Sequence, residues 1–66
     1  MQVIVNGQPR EVEPGITLSE LVAKLMLAPE RLAVELNREV VRRAEWERTQ
    51  VNEGDRIEIV HFVGGG

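Results

Sequence analysis

Cysteine is absent from this 66-residue chain. Its absence excludes disulfides, thiolate metal sites, a cysteine nucleophile and persulfide carriage on a side chain. Aromatic residues are scarce, with one Trp and one Phe, and the basic residues form no stripe along the chain. Base stacking and phosphate-backbone contact both lack support, so no nucleic-acid partner is expected. No apolar run approaches the roughly 20 residues that span a bilayer. The N-terminus has neither a basic n-region nor a continuous apolar h-region, so a cytoplasmic protein without a membrane partner is expected. The P-loop, GxGxxG and HExxH patterns are missing, as is any Ser/His/Asp set that this length could support. His61 is the only histidine, and without a nucleophile beside it in sequence it reads as structural or solvated. No metal site and no bound cofactor are expected.

The residues that are present describe one small domain. Hydrophobic content of 42% with 29% charged residues and a net charge of -3 is ordinary for a soluble globular chain. A domain of this size buries only about 60% of the surface that its unfolded chain exposes, too little for a core and a deep catalytic cleft together. Carboxylates are numerous, but those between Glu35 and Arg48 sit beside arginines and read as an ion-paired, solvated surface. An enzyme is not expected. The division is a folded domain over residues 1–63 and a glycine tail over 64–66.

Met1 to Val5 is short and β-branched, and Asn6-Gly7 supplies the two positive-φ positions of a tight turn, with Pro9 to Glu13 extended beyond it. This predicts an N-terminal hairpin. Pro14-Gly15 ends the second strand. Thr17-Leu18-Ser19-Glu20 fits a capping box, and Leu18, Leu21, Val22 and Leu25 make one apolar stripe on a helix that should end at Ala28-Pro29. The stripe is suited to covering a sheet. Leu32 to Leu36, the turn residue Asn37 and Val40-Val41 read as two more short strands. Ala44 to Arg48 has helical or turn character and carries Trp46, either as a lid over one end of the core or as a stacking platform for a ligand. Asn52-Glu53-Gly54-Asp55 is a turn, and the last strand should run from Arg56 to Val63. The order ββ-α-ββ-β makes an α+β fold in which a mixed sheet of four to five strands is covered by one main helix, the β-grasp or ubiquitin-like plan.

Alternation in the last strand points Ile57 and Ile59 into the core and Val60 and Phe62 away from it. An exposed apolar pair beside a chain end forms a docking surface unless a bend or neighbouring loop covers Phe62. Gly64-Gly65-Gly66 follows. Glycine loses the most backbone entropy on ordering and offers no side chain to pack, so a flexible C-terminal tail is expected, reaching roughly 10 Å when extended. Without Cβ atoms it could pass through a slot closed to every other residue type. The distinctive chemical group is then the Gly66 carboxylate. It is ionised at neutral pH and is a poor acyl electrophile. Attack on the α-phosphate of ATP would activate it as an acyl-adenylate, and a sulfur nucleophile could then displace AMP. The Mg²⁺ and cationic groups for that step must come from a partner that uses ATP. With no cysteine in the chain, the Gly66 carboxylate is the expected attachment point for any sulfur the protein handles.

Val34-Glu35-Leu36-Asn37, Glu39-Val40-Val41, Arg43, Trp46 and the run from Gly54-Asp55-Arg56 to Gly64-Gly65-Gly66 together resemble the ThiS-type sulfur carriers of thiamine biosynthesis. The resemblance covers essentially the whole chain. Arg38 stands where the family often has Gly after Asn, and Arg42 where it often has Pro. The resemblance implies a β-grasp fold and adenylation of Gly66 by an E1-like enzyme of the ThiF type. A cysteine desulfurase system would then deliver sulfur, and the resulting thiocarboxylate would donate it to a thiazole synthase of the ThiG type. Gly65 and Gly66 match the diglycine motif, with Gly64 as the glycine before it, and the exposed side of the last strand, Val60 and Phe62 included, would meet the partners. Two alternatives stay open on the residues alone. One is a carrier serving molybdopterin synthesis or tRNA thiolation; the other is a ubiquitin-like binding module without sulfur chemistry.

Overall fold

Asn6 (φ 49°) and Gly7 (φ 81°) both take the left-handed conformation, and the chain reverses on them between β1 (Gln2–Val5) and β2 (Gln8–Glu11). The computed structural model describes residues 1–25 and 31–61. The hairpin register pairs Val5 with Gln8 and Gln2 with Glu11, the short two-residue connection expected of Asn-Gly. Val3 and Val5 alternate inward while every residue of β2 is exposed, as suits an edge strand.

Helix α1 (Leu18–Lys24) begins on the capping box read from the sequence. Thr17 Oγ1 accepts from the Glu20 backbone N–H at 3.2 Å, and Glu20 Oε1 accepts from the Thr17 N–H at 2.9 Å. The last helical residue is Lys24, with Leu25 as the C-cap, so the helix is shorter than the stripe and the Ala28-Pro29 stop suggest. That stop lies outside the described residues. Leu18, Leu21 and Val22 are buried and Leu25 packs on the same cluster. The 3.6-residue period thus does what its spacing promises.

The chain then forms β3 (Leu32–Leu36), β4 (Glu39–Val41), a 3₁₀ helix over Arg43–Arg48 and β5 (Arg56–His61). One five-stranded sheet results, in the order β2-β1-β5-β3-β4. Strand β5 lies in the middle, parallel to β1 and antiparallel to β3. The architecture is the mixed β-grasp sheet with one main helix. The core gathers Val3 and Val5 from β1, Ile16 and Val51 from the loops, Leu32 and Val34 from β3, and Ile57 and Ile59 from β5 under the helix. Each such side chain contributes roughly 1.5–3 kcal/mol by leaving water.

Trp46 is buried in this core, and its indole N–H donates to the Val41 carbonyl at 2.9 Å. The lid reading holds: a ring fixed at its polar edge and covered by the core has no free face for a ligand. The ion-paired surface expected between Glu35 and Arg48 is sparser than the sequence suggests. Among the described residues that stretch holds one ion pair, Arg48 with Glu45 at 3.1 Å. Adjacency in sequence does not bring the others together, because Glu35 projects from a strand whose cross-strand partner is Glu58.

Candidate functional site

The last described strand is held unequally on its two sides. Toward β3 it is paired over five residues, from Leu36 opposite Ile57 to Leu32 opposite His61. Toward β1 the register covers only Ile4 with Arg56 and Val5 with Ile57. Two asparagines in the left-handed conformation, Asn6 and Asn37, complete the support. The Asn37 N–H donates to the Arg56 carbonyl at 2.8 Å, and its Oδ1 accepts from the Arg56 N–H at 2.9 Å. Its Nδ2 donates to Asp55 Oδ1 at 3.0 Å. At the far end, Asn6 Oδ1 accepts from the Ile59 N–H at 2.7 Å, and Asn6 Nδ2 donates to the Ile59 carbonyl at 3.3 Å. Strand β5 is therefore tied down at its entry and near its exit, and residues 62–66 continue from it.

Along β5, Ile57 and Ile59 are buried while Arg56, Glu58 and Val60 are exposed, as the period of two requires; His61, next on the inward face, is exposed and departs from that alternation. Val60 is 54% exposed, which matches its expected outward direction. Its cross-strand neighbour is Ala33. On β4, Val40 is 70% exposed and stands opposite Glu35, which in turn faces Glu58. The outer sheet face thus carries exposed aliphatic groups around a pair of facing carboxylates. Val60 is the one described residue of the docking and tail set; Phe62, Gly64, Gly65 and Gly66 lie outside the described residues.

Beside Asn6 a groove of about 340 Å³ is lined, among the described residues, by Val5, Gln8, Arg10, Leu25 and Ile59 as well as Asn6 itself. These side chains offer one cation and no carboxylate. They hold no acid and base pair for a proton-transfer reaction.

Sequence reasoning did not find three of these features: the second role of Asn6, the facing of Glu35 and Glu58, and the exposure of Val40. The first two depend on strand register between segments far apart in the chain. The third had a local signal, since Val40 alternates with Glu39 and Val41, yet which face is covered depends on where the helix lies.

The chain matches the ThiS family over residues 3–66. It is 39% identical to the crystal structure of a thiamine biosynthesis protein (ThiS) from Geobacter metallireducens, with a TM-score of 0.88 and 100% of both chains covered. It is 30% identical over 66 residues to the sulfur carrier protein ThiS of Escherichia coli, again covering 100% of both. It is also 46% identical over 66 residues to a thiazole synthase of Magnetococcus marinus, covering 100% of this chain and 20% of that protein. The chain therefore spans about a fifth of the length of the thiazole synthases it matches.

Proposed function

This chain belongs to the ThiS family, and from that premise we propose that it is a sulfur carrier for the thiazole ring of thiamine, a protein substrate rather than a catalyst. The family match over residues 3–66, joined to a whole-chain structural likeness at 39% identity, carries the reading.

The chemistry follows from what the residues can do. The Gly66 carboxylate attacks the α-phosphate of ATP and releases pyrophosphate, giving an acyl-adenylate on an E1-like partner of the ThiF type. A persulfide formed by a cysteine desulfurase displaces AMP to give an acyl disulfide, and a partner thiol then attacks that disulfide, releasing the thiocarboxylate and leaving a disulfide on the partner. Mg²⁺ and the cations that stabilise this step belong to the partner. The need for ATP and reduced sulfur assigns the step to the cytoplasm. The thiocarboxylate is a soft anionic nucleophile, and its acceptor is a thiazole synthase of the ThiG type. Support for that acceptor comes from the two thiazole synthases that contain a segment similar to this whole chain. Gly64, Gly65 and Gly66 are the part threaded into each partner, while Val60 and Phe62 meet its surface.

The test is reconstitution of thiazole formation with the thiocarboxylated protein and a ThiG-type synthase. Sulfur transfer to the thiazole product is expected. Transfer to a molybdopterin precursor or a tRNA acceptor, with none to thiazole, would replace the pathway while keeping the carrier.

A further inference from the structure

Strand β1 stops supporting β5 before β5 ends. After Val5 the backbone turns away at Asn6, whose φ of 49° sends the chain into β2. Backbone groups of β5 alternate sides: Ile57 accepts from the Asn6 N–H at 2.8 Å, so the next residue facing the same side is Ile59. Its N–H and C=O would have no strand beside them. The Asn6 carboxamide fills that gap, accepting from the Ile59 N–H and donating to the Ile59 carbonyl. A carboxamide carries the same planar acceptor and donor pair as a peptide unit. The side chain thus acts as one more residue of β1, across a sequence separation of 53. Ile59 is 7% exposed, and an unpaired backbone group there would be costly. His61 is the next residue on that side, and among the described residues β1 offers it no partner.

We propose that Asn6 is a positioning residue for the carrier reaction: by clamping Ile59 it fixes the position and direction of the end of β5, to which the C-terminal residues are joined. The proposal rests on the sulfur-carrier reading above. Docking through the outer face sets how tightly a partner holds the domain, whereas the clamp sets where the reacting carboxylate arrives. Loss of the clamp therefore lowers the rate of adenylation more than it weakens binding, because small misplacements of a reacting group cost about ten- to a hundredfold in rate.

Asn6→Gly removes the carboxamide while keeping a residue at ease with positive φ. Asn6→Asp keeps an acceptor for the Ile59 N–H but sets a carboxylate oxygen against the Ile59 carbonyl. The measurements are amide hydrogen exchange of both full-length variants and the steady-state adenylation of each by the ATP-dependent partner. For Asn6→Gly the Ile59 amide should exchange at least about tenfold faster while Val34 keeps its protection, as local opening near a strand end implies. Adenylation kcat should fall about tenfold or more with KM changed less than about twofold, and Asn6→Asp should fall between this variant and the parent. Unchanged kcat and KM beside faster Ile59 exchange would overturn the positioning role, as would a raised KM at unchanged kcat, which makes Asn6 a docking contact. A parent protein that gains no AMP from a partner active on its own carrier would overturn the carrier reading instead, with the exchange result still reporting on the clamp.

Discussion

Glu35 and Glu58 face each other directly across β3 and β5 on the side of the sheet away from the helix. Like charges at such a position destabilise a strand pair. Both lie on the face that carries Val60 and Val40, so this face is not shaped for stability alone.

Relief of that repulsion is measurable. Glu58→Arg should raise the free energy of unfolding by roughly 0.2–1 kcal/mol, the scale of an opposite-charge cross-strand pair, and the gain should shrink in high salt. Urea denaturation at two salt concentrations reads it. A loss of stability would show that the two carboxylates are splayed apart in solution.

Arg38 takes φ of 73° beside Asn37 at φ of 51° in the β3–β4 connection. A side chain in this region is strained where glycine is not. Arg38→Gly should stabilise the protein by roughly 0.5–1 kcal/mol, the strain relieved less the entropy that glycine adds to the unfolded chain. The denaturation midpoint should rise at constant m-value.

Leu21 is 1% exposed at the centre of the helix stripe. Leu21→Ala should cost about 2–5 kcal/mol, a large share of the stability of a domain this size. A change below about 1 kcal/mol would mean that the helix does not cover the sheet.

Much of this fold was legible because its signals are local. Asn6-Gly7 demands a two-residue reversal, Thr17 and Glu20 form a box within one helical turn, and the isoleucines of β5 alternate with exposed residues. Each signal sits inside a few consecutive residues. The helix end was less legible, since the apolar period continues to Leu25 while helical geometry stops at Lys24. The site divided in the same way. Val60 points outward as its alternation requires, whereas the Asn6 carboxamide looked like turn chemistry alone. Its bond to Ile59 exists only once β1 and β5 lie parallel, a long-range pairing that no local pattern encodes. Phe62 and the glycines lie outside the described residues, so their part in the account is chemical.

The tail should matter to chemistry and little to folding. Gly65→Val should leave the melting temperature within a few degrees, a change of well under about 1 kcal/mol for a domain of this length, while stopping adenylation by blocking passage of the backbone. A large fall in melting temperature would show that the tail is packed.

The central claim is that Gly66 carries sulfur, and intact mass spectrometry tests it most directly. The protein is incubated with an E1-like adenylating enzyme, ATP, Mg²⁺, a desulfurase and cysteine, and its mass is followed with fragmentation of the C-terminal peptide. The account predicts a species bearing AMP, then one with a single oxygen-to-sulfur exchange mapped to Gly66. An unchanged mass with enzymes that convert their own carrier would contradict it and leave a ubiquitin-like binding module without sulfur chemistry.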